Sequence, residues 1–249
     1  MLEIKNLHKS FDGLKAVDDF SLSVQPCKIT SLIGPNGAGK TTVFNIVSGY
    51  LAPDRGRVVF QNVPITEKAP FHIARMGIAR TFQSLRLFRR LTVLENVMLA
   101  MQHQSAESAW NALFLFSERS KEHLAHTERA MEFIDFVGLK DRKSDLAENL
   151  SYGQQKLLTI ACCLAMEPKL LMLDEPVSGV QPVMIERIAA ILKELVEKQE
   201  TTVFLIEHDM DFVLKISDTV VVMDEGKIIT EGTPATVKNN PEILEAYLS

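Results

Sequence analysis

The chain has 249 residues, 46% of them hydrophobic, with 27 basic against 32 acidic side chains and a formal charge of −5. That length suits one large α/β domain, and the mild acidity gives no electrostatic reason to expect a nucleic-acid partner. No apolar run approaches the ~18 residues that a bilayer span needs, and the N-terminus lacks a charged-then-apolar leader, so the chain is expected to stay in the cytosol. Cys27, Cys162 and Cys163 have apolar surroundings and no metal-ligand spacing, and read as buried thiols in a reducing compartment.

In chain order, residues 2–7, 18–24 and 57–60 read as strands of an antiparallel β layer. The last is followed by a Gln61-Asn62 turn, where Asn tolerates a left-handed conformation. Within this zone the run 28–33 predicts a buried strand that feeds Gly34-Pro35-Asn36-Gly37-Ala38-Gly39-Lys40-Thr41, a fit to G-x-x-x-x-G-K-[ST], and 42–47 continues as an apolar helix start. Glycines let backbone N–H groups curl around anionic oxygens, with a helix N-terminus adding its positive end. Lys40 then reaches the terminal phosphates and the Thr41 hydroxyl is placed to hold Mg²⁺. An ordinary glycine-rich turn would not need both flanking elements, so this segment implies a nucleoside triphosphate site.

From about 84 to 149 the pattern turns helical and strand-free, over 92–101 and 120–137, with Gly138 as the stop. The apolar stretch 110–116 reads as core of that region or as a partner surface. His123 and His126 are flanked by Lys121, Glu122, Glu128 and Arg129, which makes a solvated helix face rather than a metal site. Residues 150–240 return to strand–helix alternation, the pattern of a parallel sheet. There Ser151 is an N-cap before a helix over 156–166, so hydroxyl, amides and helix dipole make a second phosphate site. The run 170–173 ends in Asp174, placed for the Mg²⁺ shell, and Glu175, a general base for an attacking water. The last such strand begins at Thr202 and leads to Glu207 and His208. His208 reads either as a satisfied core histidine or as a γ-phosphate sensor, and its place downstream of the two acids favours the sensor.

Two phosphate-binding helix starts would be odd in a simple kinase or GTPase. They make sense if the second serves a partner's nucleotide. Taken in order, these motifs span nearly the whole chain, which resembles the ATP-binding subunits of ABC transporters. The resemblance implies a P-loop NTPase α/β core with an antiparallel β layer and a helical subdomain insert. It makes 1–249 a single domain, with 1–83 and 150–249 as nucleotide-binding core and 84–149 as helical subdomain. It implies ATP and Mg²⁺, held by a Walker A loop of Gly34, Pro35, Asn36, Gly37, Ala38, Gly39, Lys40, Thr41 and Thr42. Phe11 corresponds to an aromatic that stacks on adenine, the other reading being a plain apolar strand-end side chain. Gln83 corresponds to the Q-loop glutamine on the metal, with Thr41 and Asp174. Ser151, Gly153 and Gln154 belong to the signature, Asp174 and Glu175 to Walker B, and His208 is the switch histidine. Tyr152 departs from the signature's usual glycine, and Gln181 stands where the family has Asp or Asn.

As partners the resemblance implies a second ATPase subunit, identical or homologous, packed head to tail. Transmembrane permease subunits would hold the pair at the cytoplasmic face of the membrane, with a solute-binding protein acting indirectly. The segment Ser84-Leu85-Arg86-Leu87-Phe88 reads as a docking surface for the permease or as closure of the helical core. Within the family the chain looks most like ATPases of branched-chain (hydrophobic) amino-acid uptake. The pointers are Arg80-Thr81-Phe82-Gln83, Glu207-His208-Asp209-Met210 and the tail with Asn239-Asn240-Pro241 and Ala246-Tyr247-Leu248. Urea, amide and lipid transporters share much of this vocabulary, and a soluble non-transport ABC ATPase is the other alternative.

Overall fold

The computed structural model describes residues 1–83, 85–101 and 116–239, with the backbone alone over 116–123. Ser84, the apolar stretch 110–115, the His123 side chain and the tail from 240 onward lie outside it. The chain forms two compact units, one of Met1–Gln83 with Lys169–Ser249 and one of Ser84–Pro168.

The first unit holds two sheets. β1 (Leu2–Phe11), β2 (Leu14–Val24), β4 (Arg55–Phe60) and β5 (Val63–Pro64) form an antiparallel sheet in the order β2-β1-β4-β5. The β1–β2 hairpin extends to its turn, with Phe11 opposite Leu14, well past the expected ends at 7 and 18. The mostly polar stretch 8–19 hid that extension because register shifts interrupt the alternation there, although Val17 is buried. Gln61 and Asn62 both take positive φ, 48° and 64°, so β4 and β5 are joined by the expected left-handed turn.

The second sheet has the order β10-β9-β3-β8-β7-β6, built from β3 (Ile29–Ile33), β6 (Ile78–Arg80), β7 (Leu170–Asp174), β8 (Thr202–Ile206), β9 (Thr219–Asp224) and β10 (Lys227–Gly232). It is parallel except for the β9–β10 hairpin. Every residue of β3, β7 and β8 is buried, which is why these strands read as unbroken apolar runs rather than alternating ones. Helix α1 (Lys40–Val47) shares one core with both sheets. Phe44 from α1 meets Phe204 of β8 at 4.8 Å between ring centroids, and Leu2, Leu7 and Phe20 of the antiparallel sheet belong to the same buried cluster. The unit also carries α2 (Pro70–Arg75) and, further along, α6 (Pro182–Gln199), α7 (Met210–Ile216) and α8 (Pro234–Lys238).

The other unit contains α3 (Val93–Ala100), α4 (Phe116–Phe136) and α5 (Tyr152–Leu164), with two short 3-10 turns between the last two. Thr92 and Glu95 make a reciprocal capping box at the start of α3. Gly138, at φ 70°, follows α4 in a Schellman stop: its N–H reaches the Asp135 carbonyl at 2.8 Å and the Leu139 N–H reaches Ile134 at 2.8 Å. Buried Asn96 ties down the loop before α3, accepting from the Phe88 N–H and donating to the carbonyls of Phe88, Leu91 and Thr92. α5 begins at Tyr152, four residues before the expected start, because the Ser151 hydroxyl already caps the Gln154 N–H of its first turn. The sequence reading assigns 150–168 to the nucleotide core, whereas this compact unit runs on to Pro168 and takes in α5, which packs on α3 and α4.

Of the cysteines expected to be buried, Cys27 departs outright. Cys163 is buried, Cys162 is half-buried, and Cys27 is exposed, its thiol donating to the Glu200 carbonyl at 3.4 Å. Cys27 occupies a turn with φ 53° just before β3, so its apolar neighbours in sequence are strand residues that point into a core it does not enter.

Candidate functional site

Parallel register places three chain segments side by side. Leu32 of β3 pairs with Ile206 of β8, and Asp174 of β7 pairs with the same Ile206. The chain therefore leaves the carboxyl ends of three adjacent strands as the glycine loop, as Glu175 and as Glu207-His208. Open α/β sheets bind ligands at such an edge. A cleft of about 430 Å³ opens there, lined by Gly34, Pro35, Asn36, Gln83, Glu175 and His208.

The glycine loop is shaped by close approach. A Cβ on Gly34 (φ 154°) would stand 2.0 Å from the Met223 carbonyl oxygen, and one on Gly39 (φ 101°) 2.1 Å from that of Ala16. Neither position admits a side chain. Gly39 is also the N-cap of α1, and it offers no side chain to occupy the first-turn amides, which stay open to an anion. Lys40 is buried and donates to the carbonyls of Gly34 and Pro35 at 2.7 and 2.8 Å, so its ammonium lies across the loop. Burial pushes Lys40 below the usual lysine value, and the Glu175 and Asp174 carboxylates act against that shift. Thr41 is exposed and Thr42 half-buried at the start of the helix, and Ala38 is buried beneath the loop.

Glu175 has a left-handed backbone, φ 50°, and its N–H is held by the Ile206 carbonyl at 3.0 Å. Its carboxylate meets Gln83 Nε2 at 3.4 Å and His208 Nδ1 at 3.8 Å. Exposed His208 stands at the cleft wall, not in the core, which removes the satisfied-core reading. Asp209 caps α7 by accepting from the Phe212 N–H at 3.0 Å.

Asp174 is held from two directions. Its backbone N–H donates to Thr81 Oγ1 at 3.0 Å, and its carboxylate pairs with Arg80 Nη2 at 3.2 Å with both side chains almost wholly buried. Arg80 also donates to Asn45 Oδ1 and Ser48 Oγ, at 2.9 and 2.7 Å, and its guanidinium lies 5.5 and 5.0 Å from the rings of Phe44 and Phe82. Sequence reasoning uses Arg80 only as a subfamily pointer and misses it as part of the site. The available signal is an arginine ending a short apolar strand, a position where a charge needs a buried partner.

Phe11 is 45% exposed at the tip of β1, with Lys9 Nζ 5.6 Å from its ring centre, so a ring face is open to solvent rather than packed into the core. Ser151, Gly153 and Gln154 lie in the other compact unit. There Ser151 Oγ accepts from the Gln154 N–H, and Gln154 Oε1 accepts from the Ser151 N–H at 2.9 Å, a capping box closed on itself. Phe88 is 58% exposed and Leu85 and Leu87 are half-buried, so the 85–88 segment does not close a core. Among the described residues no cluster of three His, Cys, Asp or Glu side chains could hold a metal by itself. No described helix is long and apolar enough to cross a membrane.

The family model for ABC transporters matches residues 17–178, from the hairpin through both acids. The chain belongs to the ABC transporter family. The cassette is 39% identical over its whole length to the high-affinity branched-chain amino acid transport ATP-binding protein LivG of Escherichia coli (strain K12), covering 97% of that protein. It is 38% identical to BraF of Pseudomonas aeruginosa (strain PAO1), which bears the same description, again covering 100% of this chain and 97% of the other. A crystallised nucleotide-free ATP-binding cassette from an ABC transporter superposes with a TM-score of 0.86 at 36% identity, covering 100% of this chain and 99% of that one. A dimeric cassette in a post-hydrolysis state, bound to ADP and Pi, matches with a TM-score of 0.78 at 25% identity, covering 94% of this chain and 99% of that one. The architecture is the ABC ATPase fold expected from the motifs, and the chain is an ATP-binding subunit that hydrolyses ATP to power transport.

Proposed function

We propose that the cleft at the ends of β3, β8 and β7 binds ATP with Mg²⁺, and that the chain powers import of branched-chain or other hydrophobic amino acids. The observation that carries the site is the convergence of the glycine loop, Gln83, Glu175 and His208 on one cleft. The loop amides, Lys40, Thr41 and Thr42 hold the phosphates, and Phe11 offers its open ring face to adenine. Gly34 and Gly39 let the loop pack closely on neighbouring backbone, and the side-chain-free N-cap at Gly39 leaves first-turn amides of α1 to phosphate oxygens.

The donor set near it is oxygen-rich: the Thr41 hydroxyl, the Asp174 carboxylate and the Gln83 amide. That fits Mg²⁺, which takes one or two carboxylates together with substrate phosphates rather than a full protein cage. Bound there, Mg²⁺ would neutralise developing charge on the phosphates. Glu175 takes the proton of the attacking water, and His208, beside it, orients water and γ-phosphate.

One chain leaves this cleft open on its solvent side. A second ATPase subunit, head to tail, supplies its Ser151, Gly153 and Gln154 to complete it, a reading supported by the dimeric form of a similar cassette. The exposed 85–88 segment docks permease subunits at the cytoplasmic face, and the likeness to LivG and BraF supports amino acids as cargo. The catalytic assignment is tested with Glu175→Gln. ATP binding is expected to persist while single-turnover hydrolysis falls by about 10²–10⁴-fold, the span of a positioned general base. Hydrolysis near the wild-type rate would overturn it. The cargo is tested by ATP-driven uptake of labelled leucine, isoleucine and valine in vesicles carrying the complete transporter, and uptake of urea or short amides instead would reassign it.

A further inference from the structure

Glu207 is completely buried, yet its side chain is a carboxylate and the mechanism above leaves it without a task. Its oxygens accept three backbone amides, and Oε2 also lies 3.8 Å from His208 Nδ1. Oε1 accepts from the Val177 N–H at 2.9 Å, and Oε2 accepts from the N–H groups of His208 and Asp209 at 3.0 and 3.4 Å. Val177 follows Glu175 by two residues on the loop after β7, whereas His208 and Asp209 belong to the loop after β8. One side chain thus bridges the two loops that carry the general base and the histidine.

We infer that Glu207 is a positioning residue for hydrolysis, clamping the Glu175 loop to the His208 loop through their backbone amides. This rests on the roles given above to Glu175 and His208. The clamp has a mechanical reason to exist. Glu175 is held at φ 50°, a left-handed conformation that a non-glycine residue adopts only when its surroundings over-determine it. Three hydrogen bonds hold that residue and the chain just after it: its own N–H to the Ile206 carbonyl, the Ser178 N–H to its carbonyl at 3.4 Å, and the Val177 N–H to Glu207. Losing the bond to Glu207 loosens the chain immediately after the strained residue. The Glu175 carboxylate then no longer keeps its 3.8 Å relation to His208 Nδ1. Misplacement by about 1 Å costs a catalytic group on the order of 10²-fold.

The burial itself argues for a task. Taking a carboxylate out of water raises its pKa, and here burial outweighs the three amide donors and His208, which act in the opposite direction. Against that cost stands the geometry the side chain imposes on two loops at once.

The test uses the full chain assembled with its transporter and three readouts: ATP dissociation constant, single-turnover hydrolysis rate and thermal unfolding midpoint. Glu207→Ala is expected to lower the hydrolysis rate by about 100-fold while ATP affinity stays within about twofold. Glu207→Gln keeps one acceptor oxygen for Val177 but turns an amide toward the His208 and Asp209 donors, so it is expected to recover part of the rate, to about tenfold below wild type. The inference fails if hydrolysis is unchanged in both variants. It fails equally if rate, affinity and unfolding midpoint decline together, as loss of fold would make them. Glu175→Gln, measured alongside, separates the two levels. If that variant is inactive while the Glu207 variants turn over normally, the clamp alone is wrong. If Glu175→Gln itself hydrolyses normally, the underlying catalytic assignment is wrong.

Discussion

Arg80 shows how a single side chain organises the acidic end of β7. It neutralises Asp174 inside the protein, and a buried ion pair is weak evidence of net stability but a strong constraint once formed. Replacing Arg80 with Met would strand the Asp174 carboxylate in a site with about 5% side-chain exposure. A loss of about 3–5 kcal/mol is expected, measured by urea unfolding of the purified chain. Arg80→Lys keeps the charge but cannot reach Asp174, Asn45 and Ser48 from one planar fork, so it should fall between the two. The double variant Arg80→Met/Asp174→Asn should lose less than the sum of its parts, because the second change removes the orphaned charge. Additive losses would show that Arg80 acts through packing between Phe44 and Phe82 alone. At this scale the acids, the glycines and His208 were legible in the chain, because their chemistry follows from residue type and spacing. Arg80 and Glu207 were not, because an ionisable side chain next to an apolar strand does not announce whether it turns outward to water or inward to a partner.

At the scale of elements, caps explain why several helices start where they do and why the start of α6 is open to improvement. Thr92, Ser151 and Asp209 each accept a first-turn amide. Gln181, the N-cap of α6, makes no side-chain cap, although its extended backbone (φ −67°, ψ 149°) and Pro182 at the next position suit one. A glutamine is too long to fold back onto the second or third amide, and an aspartate is not. Gln181→Asp is therefore expected to stabilise the chain by about 1 kcal/mol, read as a higher urea midpoint at unchanged slope. A midpoint that stays put or falls would mean the α6 start is held by tertiary contacts instead. Strands β3, β7 and β8 were readable as buried runs, and the stop at Gly138 as a glycine cap. The polar half of the β1–β2 hairpin and three-residue β6 were not, since short or solvated strands are made by their partners rather than by their own pattern.

Across the whole molecule, the cysteines offer a simple check on burial. Burial pushes the Cys163 thiol up to about 12 and the Cys162 thiol further still, which keeps both as unreactive thiols. Cys27 lies exposed on the other compact unit. Alkylation of the native chain at pH 8, followed by mass spectrometry, should add one label, at Cys27, and three after unfolding in guanidinium. Labelling of Cys162 or Cys163 in the native chain would contradict the packing of α5.

The sequence by itself determined the glycine loop, the two acids, the capped helix at Ser151 and the alternation that implies a parallel sheet. Each is local, set by spacing, turn chemistry or an unbroken apolar run within a few residues. What it left open was which strands are neighbours and which loops therefore meet. That was settled by pairing between segments far apart in the chain: β3 beside β8, and β8 beside β7. In that parallel register every side chain of those strands is buried, so a slip would press each one into space shaped for another. The register thereby brings Glu175, His208 and the carboxylate of Glu207 to one edge of one sheet.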